Sequence, residues 1–359
     1  MPPTRTFRVL STIVLSVGSA FSQEITRQAA GPGTLPLNVV VAPKSESPVT
    51  GLRKSEFTIS DNGSPVAISA FREVLQTEEP VKVILVIDAV NTNFVRVAYA
   101  RAQVQKFLRT SEGRLAQPTT LAVLTDKGME MEKAFTSDGN VLSSSLDQHT
   151  IGLREITRRS GIWGANERVQ ISLTAVRQLT AYASTLPGRK IVLWVSPGWP
   201  LLSGGRINLS SKQQRQIFGN VVAFSQQLQK ANVILYNVNP LGPDESLFRS
   251  DYYQNFVSGV SEASQTDLAD LSLQVLAIQS GGLALNDNDV SGNLAKCLLD
   301  TKSWYELTIN IPVAEKADEY HHLEIKVNRQ VSRRGPGTAT THSLSRVRMC
   351  HPGKWFDFG

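Results

Sequence analysis

One short stretch has the residue types and spacing best suited to chemistry. Asp88-Ala89-Val90-Asn91-Thr92 follows directly on the apolar run 83–87. Such a run reads as a strand buried on both faces of a parallel sheet. In open sheets of that kind, ligands sit beyond the carboxyl ends of the strands. A carboxylate there, followed by amide and hydroxyl side chains, suits a hard cation such as Mg2+. The same residues also suit a helix start, because Asp88 can accept bonds from the unpartnered N–H groups of a helix opening near Thr92. Asn91 could add an amide oxygen, although in an ideal strand or helix it points away from the face its neighbours share.

Weaker candidates surround this stretch. Ser196, Pro197 and Trp199 follow the apolar run 191–195. Trp199 is either a contact anchor, since Trp dominates interface hot spots, or a packing residue beneath its loop. Asp287 and Asp289 imitate the start of a calcium loop, but Leu298 occupies the position of the bidentate Glu. Asp289 reads better as the cap of a helix starting at Val290. His321 and His322 are adjacent on a predicted strand, so only one of them faces a given side. Gly204-Gly205 and Gly281-Gly282 read as turns, since neither sits in a dinucleotide-binding frame. No G-x-S-x-G nucleophile motif is present. The expectation is a chain that is not an enzyme.

The elements that must position these residues are legible from periodicity. Apolar runs at 81–87, 120–124, 191–195 and 233–238 predict parallel strands. Between them lie helical stripes: Phe94, Val97, Val104 and Phe107; Val169, Leu173, Val176 and Ala183; Ile217, Val221, Phe224 and Leu228. Leu268, Leu271, Val275 and Ile278 predict another helix, as do Val290, Leu294 and Leu298. Alternating strand and helix predicts a doubly wound, mostly parallel α/β sheet over 80–300. The stretch 129–135 alternates and predicts an edge strand. Flanking segments 35–76 and 302–352 read as antiparallel strands, with a turn at Asp61-Asn62-Gly63. Neither flank has enough core alone, so the two are expected to form one β-sandwich around or beside the α/β domain.

Bulk properties narrow the function classes. The 359 residues suffice for two ordinary domains, and the 41% hydrophobic fraction is that of a globular chain. Net charge is +6, but the basic residues are scattered, which argues against nucleic acid as a partner. Residues 1–22 have the order of a secretory signal: Arg5 and Arg8, then a short apolar core, then small residues. A secreted or periplasmic location is expected, with no membrane span. Cys297 and Cys350 could pair in an oxidising compartment or remain two buried apolar residues.

Several segments together carry a family resemblance. They are Val-Thr-Gly-Leu-Arg-Lys-Ser-Glu-Phe-Thr-Ile-Ser-Asp-Asn-Gly (49–63), Val-Ile-Leu-Val-Ile-Asp-Ala-Val-Asn-Thr (83–92), Leu-Pro-Gly-Arg-Lys-Ile-Val-Leu-Trp-Val-Ser-Pro-Gly-Trp-Pro (186–200) and Ser-Gly-Gly-Leu-Ala-Leu-Asn-Asp-Asn-Asp (280–289). Trp-Tyr-Glu-Leu-Thr-Ile (304–309) and His-His-Leu-Glu-Ile-Lys-Val (321–327) complete the order. In this order they resemble the VWFA-related domain proteins found chiefly in Acidobacteria, over nearly the whole chain past the leader. The resemblance implies a von Willebrand factor A-like domain and its metal-ion-dependent adhesion site, a D-x-S-x-S loop with a Thr and an Asp on two further loops. Asp88 matches the first carboxylate and Thr92 the second Ser, while Val90 replaces the first. Ser196-Pro197 stands where the third-loop Asp is expected, and the second-loop Thr has no clear match between Ser160 and Ser172.

The expectation is therefore an exported, non-catalytic protein-binding or adhesion-type module with a degenerate metal site. Its binding residues are Asp88, Asn91, Thr92, Ser196 and Trp199; its metal ligands, if any, are Asp88 and Thr92, with either no cofactor or weakly held Mg2+. Metal-dependent adhesion through a non-standard Asp/Thr site and hydrolysis at an unrecognised site are the alternatives. The partner and the oligomeric state stay open.

Overall fold

A computed structural model describes residues 33–42, 47–92, 94–148, 161–199, 209–240, 256, 260, 262–267, 270–311, 323–330, 341–343 and 347–350. Residues 1–22, read above as a secretory signal, lie outside them. In chain order the elements are β1 (Gly33–Val41), β2 (Phe57–Asp61), β3 (Ser64–Val66), β4 (Ile68–Leu75), β5 (Lys82–Asp88), α1 (Phe94–Leu108), β6 (Arg114–Thr125), β7 (Gly128–Met131), β8 (Thr136–Asp138), α2 (Gly139–Gln148) and α3 (Gly161–Ser184). They continue with β9 (Lys190–Val195), α4 (Ser211–Lys230), β10 (Val233–Val238), α5 (Leu273–Gln279), β11 (Ala284–Leu285), α6 (Val290–Leu298), β12 (Ser303–Ile311), β13 (Leu323–Gln330), β14 (Thr341–Ser343) and β15 (Val347–Cys350).

The central sheet runs β11-β10-β9-β5-β6-β7, with β8 also pairing β6. Strands β5, β6, β9, β10 and β11 are parallel, while β7 and β8 pair β6 antiparallel. Alternation divides the strand side chains between two cores. Ile84, Val86, Val192, Trp194, Val233 and Leu235 pack towards α3, α4 and α5. Val83, Leu85, Ile87, Ile191, Leu193, Val195 and Ile234 pack towards α1, α2 and α6. Every residue of β9 and β10 is buried. That is why these strands read as unbroken apolar runs: each face is covered by helices, and burying one such side chain stabilises by roughly 1.5–3 kcal/mol. The doubly wound α/β fold is as the periodicity predicts. Of the stripe Leu268, Leu271, Val275 and Ile278, the last two lie on α5, Leu271 precedes that helix, and Leu268 lies outside the described residues.

The flanking strands form a β-sandwich. One sheet is β15-β1-β12-β4 and the other β14-β13-β2-β3. Each draws strands from both ends of the chain: Leu37 pairs Leu307, which pairs Phe71, and Ile59 pairs Ile325. Leu37, Val39, Phe57, Ile59, Tyr305, Leu307, Ile325 and Val327 fill the space between them. The turn after β2 uses Asn62 (φ 48°) and Gly63 (φ 80°), the left-handed pair that a two-residue hairpin of this hand needs. Cys297 is buried on α6. Cys350 pairs Asn38 in the outer strand β15, and its side chain is outside the described set.

A buried polar cluster joins the two units. The Arg189 guanidinium lies 4.5 Å over the Trp304 ring and its Nη1 donates to the Asp300 carbonyl at 3.3 Å. Tyr236 Oη donates to Asp300 Oδ2 at 2.6 Å. Burial, then the Asp300 charge, pushes the Tyr236 phenol well above its usual range. Among the described residues no helix is long and apolar enough to cross a membrane.

Candidate functional site

Asp88 ends β5 and continues the parity of Ile84 and Val86, so its side chain turns towards α3 and is 1% exposed. Beyond it the chain makes a tight turn. Asp88 Oδ1 accepts the N–H groups of Val90 (2.9 Å) and Asn91 (3.0 Å), the local pattern by which Asp closes a turn on itself. Helix α1 opens only at Phe94, so Asp88 caps this turn and not the helix expected near Thr92. The turn also redirects Asn91. Its Nδ2 donates to Asp88 Oδ2 at 2.8 Å and to Ser172 Oγ on α3 at 2.9 Å. Because a carboxylate only accepts, the amide nitrogen must face Asp88. The sequence expectation that Asn91 points away fails because the backbone here is neither strand nor helix.

The neighbouring strand completes the arrangement. Ser196, just past β9, donates from Oγ to Asp88 Oδ2 at 2.7 Å, and Trp194 Nε1 stands 3.4 Å from the same oxygen. Ser196 Oγ accepts in turn from the Gly198 N–H at 3.1 Å. Asn237 of β10 donates to the Ser196 carbonyl at 2.8 Å. Gly198 has φ +94°, and a Cβ there would strike the Gln274 side chain, whose Nε2 donates to the Pro197 carbonyl at 3.2 Å. Three successive strand ends and the start of α5 are thus tied together around one buried carboxylate.

The resemblance implies a divalent cation here, and the donor set does not fit one. Five N–H or O–H donors from the described residues converge on the two oxygens of Asp88. A cation would have to displace them. Val90 presents only its backbone, Ser196 spends its hydroxyl proton on Asp88, and the described residues contain no group of three or more His, Cys, Asp or Glu able to hold a metal. Mg2+ demands near-ideal octahedral oxygen geometry and gives up water reluctantly. Among the described residues three buried oxygens of the site remain without partners, Asn91 Oδ1, Thr92 Oγ1 and, on β10, Asn237 Oδ1.

Trp199 is 2% exposed and packs in the cluster that holds Val90, Trp194, Phe218 and Phe256. Of its two sequence readings this burial favours the packing one. Asp289 Oδ1 accepts from the Gly292 N–H at 2.9 Å and caps α6, while Asp287 Oδ1 accepts from the Asp289 N–H and from Asn293 Nδ2. Residues 200–208, 241–255 and His321-His322 lie outside the described set, so the wider strand-end face is seen only in part. On that face Val95, in the first turn of α1, is 74% exposed.

Sequence reasoning missed Ser172, Trp194, Asn237 and Gln274 as supports of the site. It also missed Asp270, which is 2% exposed and accepts the Asp267 N–H at 2.7 Å. Burial pushes this carboxyl up to about 7; the bond from Asp267 pulls the other way and the Asp267 charge adds to the rise.

No protein-family model matches this chain, and no curated protein matches it by sequence. Solved structures do. The human COPII-coat protein Sec24c is similar at 11% identity and TM-score 0.33, over 79% of this chain and 46% of that one. Proximal thread matrix protein 1 from the mussel byssus is similar at 11% identity and TM-score 0.33, over 64% of this chain and 49% of that one. The manganese-loaded Plasmodium vivax TRAP protein is similar at 11% identity and TM-score 0.31, over 79% of this chain and 97% of that one. This chain thus spans less than half the length of the first two.

Proposed function

We propose that this chain is an exported, non-catalytic binding module of the von Willebrand factor A type, presenting the strand-end face of its α/β domain to a protein partner. The reading rests on one observation above all: the carboxylate at the metal-ligand position is saturated by protein donors and serves as an internal tie. A rigid set of strand ends is what a contact face needs, since preorganisation lowers the entropic cost of association. The leader-like residues 1–22 support export.

Thermal unfolding with and without Mg2+, Mn2+ or Ca2+ tests the metal-free part, since a ligand that binds only the native state raises its Tm. No shift at millimolar metal is expected. A rise of several degrees that Thr92→Val abolishes would overturn it. The face itself is tested by Val95→Glu, which alters an exposed residue without touching the core: capture of defined partners from cell-envelope extract should fall relative to the wild type. Unchanged capture counts against this face.

A second reading keeps a cation. It is favoured by two of the unpartnered oxygens, Asn91 Oδ1 and Thr92 Oγ1, beside a carboxylate. The same titration decides between the two.

A further inference from the structure

A second surface lies on the β-sandwich, away from the strand-end face. Strand β3 pairs β2 only from Ile59 to Asp61. It then leaves that sheet after Val66, and Ile68 begins β4 in the opposite sheet. Among the described residues the corner where the chain changes sheets leaves a hollow beside Val66 and Ile68, both half-buried, with buried Phe57 and Ile59 beneath. The result is a trough of about 600 Å3 lined by Arg53, Lys54, Ser55, Phe57, Thr58, Ile59, Pro65, Val66 and Ile68.

Its chemistry is one-sided. The floor comes from Phe57 and Ile59 of the core and from Val66 and Ile68 packed against it. The rim carries two exposed cations, Arg53 and Lys54, neither of which forms an ion pair with a described residue. Among the described residues no acidic side chain lines the trough. The nearest along the chain, Glu56, is engaged with its carboxylate accepting the Arg53 N–H at 2.6 Å.

The volume is within the range of ligand sites, but the trough is open along its length. An enclosed pocket buries most of a small ligand, and an open one does not. A segment held by a larger partner avoids that problem, because the rest of the partner supplies the remaining contact. Pro65 lacks an N–H, so this rim strand is a poor template for simple strand addition. Recognition here must come from side chains.

We propose that this trough is a docking site for an extended peptide segment that alternates apolar and acidic side chains, the apolar ones against half-buried Val66 and Ile68 and a carboxylate against Arg53 and Lys54. Charge complementarity carries the choice of occupant, since opposite charge at a rim sets register and excludes wrong partners.

The test uses the full chain and a fluorescein-labelled peptide of three Phe-Asp repeats, with Phe-Asn and Phe-Lys counterparts, followed by fluorescence anisotropy. The Asp peptide should bind and the Asn peptide should bind roughly ten-fold more weakly. The double variant Arg53→Glu, Lys54→Glu should lose the Asp peptide and gain the Lys peptide, with Tm unchanged. That reciprocal gain cannot come from misfolding. Equal binding of the Asp and Asn peptides, no binding at millimolar peptide, or a variant that keeps its preference would each overturn the proposal. So would phosphatidylglycerol vesicles binding where the peptide does not. None of these outcomes depends on Val95 or Asp88, so this surface and the strand-end face stand or fall separately.

Discussion

Ser196 Oγ donates to Asp88 Oδ2 at 2.7 Å, joining the ends of two adjacent parallel strands through a buried carboxylate. Where a metal-binding loop would leave that carboxylate turned outward, here it faces in. Truncation should therefore be costly. Asp88→Ala removes the acceptor for Ser196, Trp194, Asn91 and Val90 at once, and a buried donor left unsatisfied costs about 1–3 kcal/mol. A loss of about 3–4 kcal/mol in urea unfolding is expected, with Ser196→Ala costing about 1–2 kcal/mol. A loss below about 1 kcal/mol for Asp88→Ala would contradict the tie.

Gly198→Ala probes the turn beneath Trp199. The position needs φ +94°, and its Cβ would meet Gln274. Strain of this kind costs on the order of 1–3 kcal/mol. Differential scanning fluorimetry should show a lower Tm, and the emission of the buried Trp199 should move to longer wavelength as its loop loosens.

Tyr236→Phe tests the buried polar cluster that Arg189 extends to Trp304 of β12. The hydroxyl is the donor to Asp300 Oδ2 at 2.6 Å inside the core. A hydrogen bond to a charged group contributes about 1.5–3 kcal/mol, so a loss of that order in denaturant midpoint is expected, with the slope of the transition unchanged.

Asp270 gives the fold a pH dependence of defined sign. In the unfolded chain this carboxyl titrates near 3.8, while in the folded protein burial holds it at about 7. Between those values the native state binds the extra proton, so stability falls as pH rises from about 4 to 7 and levels off above. Asp270→Asn keeps an acceptor for the Asp267 N–H and removes the titration. Tm measured across this range should decline in the wild type and flatten in the variant. Parallel curves would argue against the assignment.

The α/β layering was legible because burial on both faces leaves no polar interruption in 83–87, 191–195 and 233–238. The sandwich was legible from its alternation and from the impossibility of either flank making a core alone. The site was read less well. Ser196 was noted as the place of a missing carboxylate, not as a donor to the one present, because a hydroxyl after an apolar run carries no directional signal. Asn91 was misplaced because an Asp that folds its own turn overrides both ideal periodicities. Gln274 sits in a helix whose apolar stripe extends in the sequence back to Leu268, and nothing in that stripe marks one polar member as a strut. Asp88 and its position at a strand end were found; the number of groups holding it was not.

The pairing of Leu37 with Leu307, and of Ile59 with Ile325, also fixes the order in which the molecule can be finished. Strands β1 to β4 are made first and must wait, with their apolar faces uncovered, until nearly all of the remaining chain has followed. Closing so long a loop is slow, though the entropic penalty grows only gently with length. The α/β domain, whose parallel strands all lie between the two flanks, is under no such delay. A chain stopped short of β12 would therefore carry a formed central sheet beside one hairpin, β2–β3, and two strands, β1 and β4, still without their partner β12. Such edges invite pairing with another chain, so the last strands of this protein protect the first ones from aggregation as much as they complete a core.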